Sequence, residues 1–226
     1  HAAAALEAIA QPPALGGAPP STIQHESSWR VLIVLTAAPD VLSSPSAAAG
    51  ALSAVRHILT PDEAGTRGLG RGVPSGCFAS AVSSIISHAS ADSLPAEHAA
   101  RAIEVLGDMH SSLGAVAASI SAGETPASSL PPPPPSIDLA SPALAPNAAW
   151  LRVWLAWLRS LASLTVTTRS AVRDAAVVAL QRALLHPDSQ GAASATAGAA
   201  PPISAAFEGV VFPLLADLLQ RAVGGA

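Results

Sequence analysis

The chain has 226 residues, half of them apolar but only 3% aromatic and 12% charged, so burial has to come from Ala, Leu, Val and Ile, side chains that suit closely packed helices. All 11 basic residues are arginine, and with 15 carboxylates they leave a formal charge of -4 and a pI near 5.9, which excludes the electrostatic footprint of nucleic-acid binding. The single cysteine, Cys77, allows neither an internal disulfide nor a paired-cysteine metal site and fits a reducing, cytoplasmic setting.

The chain opens on "HAAAALEAIAQPP", which has helical composition but no basic n-region and no long apolar h-region. A short helix is predicted at Ala2 to Ala10, a signal peptide is not, and the chain is expected to be a piece of a longer protein. "SSWRVLIVLTAAPD" starts with serines suited to an N-cap and stops at Pro39, which predicts a helix from about Ser28 to Ala38. "VLIVL" is read as helix rather than strand because no nearby segment offers a matching alternation. Leu52, Val55 and Leu59 mark the stripe of a helix from Pro45 to Leu59, which Thr60-Pro61-Asp62 stops. "TPDEAGTRGLGRGVPSG" is read as a flexible loop. Its "GLGRG" follows no strand and precedes no Gly-Lys-Ser/Thr, so it makes no phosphate loop.

A helix from Cys77 to Ala91 is predicted to point Phe78, Val82, Ile85 and Ile86 to one side. Ser93 and Pro95 then open the longest helical stretch, "PAEHAARAIEVLGDMHSSLGAVAASISA", with Ile103, Leu106, Leu113 and Ile120 toward a core. Gly107 and Gly114 weaken it and mark where it bends or splits. Residues 124–146, with five consecutive prolines, form a linker between a helical-repeat part at 1–123 and a second at 147–226.

In the second part, Trp150, Trp154, Trp157, Leu158 and Leu161 make the helix from Asn147 to Thr165 apolar around much of its circumference, which predicts a central position. Arg152 and Arg159 interrupt the apolar stretch Trp150 to Val166, so no transmembrane helix is expected. "AVRDAAVVALQRALLHPD" places Val172, Ala176, Ala179, Leu180, Ala183 and Leu184 on one face. Asp174 is favoured by the helix dipole, and Arg173 is placed to reach an acceptor on a neighbouring element. After an Ala/Ser/Gly-rich spacer, Ile203 to Val223 repeats Phe207, Val211, Leu214, Leu218 and Ala222 on one face, with Pro213 expected to kink or divide it. Helical hairpins that bury their faces only by stacking define the fold class: all-α, a HEAT/TPR-like α-solenoid of about seven helices with disordered Pro/Ala-rich loops.

No residue qualifies as catalytic, cofactor-binding or metal-ligating. His98 and His110, twelve apart on one helix, would stand about 18 Å from each other by helix rise. Cys77 at a helix N-terminus has a lowered pKa on that ground, yet beside Phe78 it reads as core packing, and no GxSxG elbow occurs. Glu97, Arg101, Glu104 and Asp108 share a face read as solvated, with Arg101 within reach of both glutamates. The polyproline run lacks the basic flank that orients an SH3 ligand and reads as linker. The tryptophans read as core, with snorkelling arginines between them.

"WLRVWLAWLRSLASLTVTTRSAVRDAAVVALQRALL" followed by "FEGVVFPLLADLL" resembles the helical region downstream of the Sec7 domain in large Golgi-type Arf guanine-nucleotide exchange factors, the GNOM/Gea class. In the first half, "SWRVLIVLTAAPD", "FASAVSSIISHASA" and "AEHAARAIEVLGDM" resemble earlier helices of that region, Arg101 to Leu106 matching an Arg-Ala-Leu-Asp-Leu-Met-like core. The loops depart from that pattern, and no Sec7 motif with a catalytic glutamate is present. The resemblance implies a non-catalytic regulatory and scaffolding region with no cofactor. Its implied partners are other domains of the same exchange factor and the small-GTPase machinery, with peripheral association at Golgi membranes and a role in vesicle trafficking. A HEAT/armadillo adaptor unrelated to Arf, or a small α-helical enzyme using Cys77, are the alternative readings.

Overall fold

A computed structural model of the protein describes residues 26–60, 68–70, 72–123, 148–186 and 202–224. The helix expected at Ala2 to Ala10 and both spacers lie outside the described residues. The helices are α1 Glu26–Thr36, α2 Pro39–Leu42, α3 Pro45–Leu59, α4 Phe78–Ser90, α5 Ala96–Asp108, α6 Leu113–Ser121, α7 Ala148–Leu164, α8 Ser170–Leu185, α9 Pro202–Ala206 and α10 Phe212–Gly224. With α5/α6 and α9/α10 each taken as one run, and the four-residue α2 set aside, these are the seven expected helical runs. The fold is all-α, with no strand among the described residues.

Local chemistry sets the boundaries. Pro39 cannot continue α1 but suits the first turn of α2. Pro45 does the same for α3, where the Ser44 hydroxyl accepts from the Ala47 N–H at 3.5 Å and Thr60 ends the helix in extended conformation. The long run after Pro95 splits between its two glycines, because Met109–Ser112 tighten into a 3-10 turn that separates α5 from α6.

Stacking follows from the hairpins. The turn Ala91–Pro95 folds α5 back on α4, and the turn after Leu164 folds α8 back on α7; α5 then packs along α8, and α4 touches α7. α7 is central as expected, packed by α4, α6, α8 and the turn before α10, with Trp154 and Trp157 fully buried and Trp150 stacked on Trp154 at 4.9 Å. One core cluster runs from Ile33 to Val210, so the residues before and after the proline spacer share it.

The loop read as flexible is, where described, an ordered buried turn. Leu69 and Val73 are almost fully buried, the Gly70 N–H donates to the Val73 carbonyl at 2.7 Å, and the Val73 N–H donates to the Gly68 carbonyl at 3.1 Å. Gly68 and Gly70 supply the left-handed φ of 109° and 83° that this closure requires. Flanking leucine and valine carried the missed signal, because a glycine-rich turn buries when its neighbours are apolar. A Cβ on Gly70 would come within 2.9 Å of the Ala115 Cβ. Gly70→Ala is therefore expected to cost about 2–3 kcal/mol, combining left-handed strain with overpacking against α6, measured as a lower urea midpoint at unchanged slope.

The last helical run departs furthest from expectation. It is divided, as expected, but through a π turn: in Phe207–Val211 the Phe212 N–H reaches back to the Phe207 carbonyl. The Pro213 ring would press on the Gly209 carbonyl in a regular α-helix, and the wider turn relieves that clash. The turn adds a residue between the halves, so the predicted face is broken. Ala205, Ala206, Gly209 and Val210 are buried, while Phe207, Leu218 and Ala222 are exposed and Val211 and Leu214 only partly covered. Phe212, Leu215, Leu219 and Val223 also face outward, Val223 at 78% exposure. Among the described residues one helix, Ile203–Val223 and not the stretch Trp150 to Val166, is long and apolar enough by length and composition to cross a membrane.

Candidate docking groove

The polar side chains inside the helix stack tie its layers together. On α4, Ser84 and His88 stand one turn apart on a buried face. The Ser84 hydroxyl shares a 2.8 Å hydrogen bond with the hydroxyl of Thr36 at the end of α1, and His88 Nδ1 lies 3.1 Å from His98 Nε2 on α5. His98 thus pairs across the hairpin, while His110 stands within the 3-10 turn, its ring 5.3 Å from Trp157 and 4.0 Å from His186. Among the described residues no three His, Cys, Asp or Glu side chains converge on one point.

Burial, reinforced by the neighbouring His98, pushes His88 down from its ordinary 6.5 to about 4; burial and the charges of Arg101 and Arg169 lower His98 as well. Both histidines are therefore held neutral in the fold, and the unfolded chain takes up protons first as pH falls. Stability is expected to be level above about pH 6.5 and to fall below it by roughly 1.4 kcal/mol per pH unit for His88 alone, down to about pH 4. Urea titrations across this range check it, and His88→Gln should flatten the slope.

Cys77 corrects the expectation of a lowered pKa. It is fully buried, and burial first, then the Glu26 carboxylate, push its thiol up to about 11 against the opposing charge of Arg30. Its Sγ points at the Glu26 carbonyl at 3.7 Å. A helix N-terminus acts on a thiolate, and here the thiol stays protonated, so the enzyme reading loses its nucleophile. The acceptor contact expected of Arg173 is made instead by Arg169. Its guanidinium, just before α8, donates to the carbonyls of Ala91 and Leu94 at 2.8 Å each, whereas Arg173 faces solvent.

Those contacts fix how α5 and α8 lie. Arg169 joins the start of α8 to the start of α5, and His186 meets His110 beyond their ends, so the two helices run side by side in the same direction. Between them is a cavity of about 590 Å³. Ala100, Ile103 and Gly107 from α5 and Ala175, Ala179 and Ala183 from α8 form its walls. Trp157 lies at its floor, where its indole N–H donates to the Leu106 carbonyl at 2.7 Å. Glu104, Asp108, Asp174 and Arg182 stand on the rim. The row Glu97, Arg101, Glu104 and Asp108 is solvent-exposed as read from the sequence, and Asp108 pairs with Arg56 of α3 at 3.0 Å.

The α8 wall and the tryptophan floor fall in a recognisable stretch. Residues 154–225 match the family model of the GBF1-like tetratrico peptide repeat region. This GBF1-like stretch begins at Trp154 inside α7 and takes in α8, α9 and α10, the segments that carry the larger part of the sequence resemblance. The match makes this stretch similar to a GBF1-like helical-repeat segment. α5 and the other helices before the proline spacer precede it. No curated protein and no solved structure matches the chain.

Proposed function

We propose that this chain is a non-catalytic regulatory and scaffolding region of a large Arf guanine-nucleotide exchange factor, working in Golgi vesicle trafficking on the cytoplasmic face of the membrane. The observation that carries the reading is the GBF1-like match over 154–225, falling on stacked hairpins in the helix order that the sequence resemblance implies. Stacked helical hairpins present continuous surfaces to protein partners, and the cavity between α5 and α8 is the concave part of this one. With its thiol buried and protonated, Cys77 gives the region no nucleophile of its own.

The test is GDP release from Arf, followed by fluorescence on Golgi-like liposomes, with the whole parent protein and with the parent lacking this region. The isolated chain should leave release at its spontaneous rate, and its deletion should alter the membrane-dependent rate or the recruitment of the parent. A parent reading frame without a Sec7 domain would overturn the proposal.

A further inference from the structure

The groove between α5 and α8 has a composition that favours one kind of occupant. Resting on the docking reading above, we infer that it receives an arginine-bearing segment of a protein partner. The space is built rather than left over. Ala100, Ala175, Ala179 and Ala183 keep the walls low, and beyond its own stretch of helix nothing lies within 4 Å of where a Cβ on Gly107 would stand. Glycine inside a helix is unfavourable, and at Gly107 neither backbone conformation nor a close neighbour requires it; what it does is widen the groove.

From Ala100 to Asp108 the trough is about 12 Å long, enough for two helical turns or roughly four extended residues. Its volume is in the range of clefts that enclose ligand groups. Charge selects what enters. The rim carries the carboxylates of Glu104, Asp108 and Asp174 against the guanidinium of Arg182, with the imidazoles of His110 and His186 at one end; Asp108 is taken up by Arg56, while Glu104 and Asp174 have no ion-pair partner among the described residues. A guanidinium entering at this rim meets carboxylates in excess, the arrangement that favours a cation over an anion. Small flanking side chains on the same segment fit the alanine walls.

The experiment uses the whole chain and two fluorescein-labelled twelve-residue peptides, one with two arginines among leucines and alanines, the other with glutamates in their place. The arginine peptide should bind, the glutamate peptide should not, and binding should weaken as salt is raised. Glu104→Gln with Asp174→Asn, both solvent-exposed, should lower affinity about tenfold, as loss of charge-assisted contacts does. Gly107→Leu, which fills space nothing else occupies, should block the peptide while the melting temperature stays level or rises. Equal binding of both peptides, unchanged by the carboxylate variants, overturns the cationic preference yet leaves a docking groove. Undiminished binding to a folded Gly107→Leu protein, or binding of neither peptide, overturns the groove itself; the exchange assay reports on the wider function independently of all three.

Discussion

Val172→Asp is expected to remove the cooperative unfolding transition of this protein at room temperature, or to lower its stability by more than about 4 kcal/mol. Val172 lies in the first turn of α8 and is 1% exposed, within the cluster that joins α8 to the tryptophan helix. A carboxylate there must either stay ionised without water or take a proton, and each route costs several kcal/mol on top of the lost valine packing. Of the two cations nearest along the chain, Arg173 faces solvent and Arg169 is already committed to the Ala91 and Leu94 carbonyls. With total stability on the order of 5–15 kcal/mol, a loss of this size unfolds a large share of the molecules. Arg101→Ala, on the solvent face of α5, should stay within about 0.5 kcal/mol of the parent. Urea unfolding of the two variants side by side decides the matter; equal losses would mean that the face of α8 is not what holds it in place.

Trp157→Ala should come close behind, at about 3–5 kcal/mol, because a buried indole leaves a cavity that close-packed helices fill only in part. The hydrogen bond can be separated from the volume. Trp157→Phe keeps most of the ring but removes the N–H that the Leu106 carbonyl accepts at 2.7 Å, just where α5 gives way to the 3-10 turn. That variant should lose about 1–3 kcal/mol, the cost of a buried acceptor left without its donor. Comparing the two melts apportions the effect: near-equal losses would assign it to the bond, and a near-neutral Trp157→Phe would assign it to volume alone.

Features written in adjacent residues were legible. The proline at position 45, the spacing of Leu52, Val55 and Leu59 and the stop at Thr60-Pro61-Asp62 give the bounds of α3 directly. An apolar surface all the way round places α7 at the centre, and two glycines mark the split of α5 from α6. What escaped the sequence reading depends on which elements meet. His88 stands three residues from the Ala91–Pro95 turn on one side and His98 stands three on the other, so their pairing was available to a count outward from that hairpin, although not to a search along one helix. Arg169 rather than Arg173 bridges to the α4–α5 turn because a residue before a helix leans toward the neighbouring hairpin's end, which wheel geometry does not represent. The groove needs two helices whose tie, Leu94 to Arg169, spans 75 residues to lie side by side, and its small side chains taken singly look like ordinary helix filler.

The wide turn at Phe207–Val211 has a bearing on how the open end of the stack is set. Each residue advances an α-helix by about 100°, so one surplus residue acts as a phase step, and everything downstream is dialled round by more than a quarter of a revolution. Phe212, Leu215 and Leu219, all exposed, lie opposite Val210 even on regular helical spacing, so the step changes which neighbours they flank rather than putting them outside. A helix of this kind carries two candidate contact surfaces in one string of letters, and the length of a single loop of backbone chooses between them.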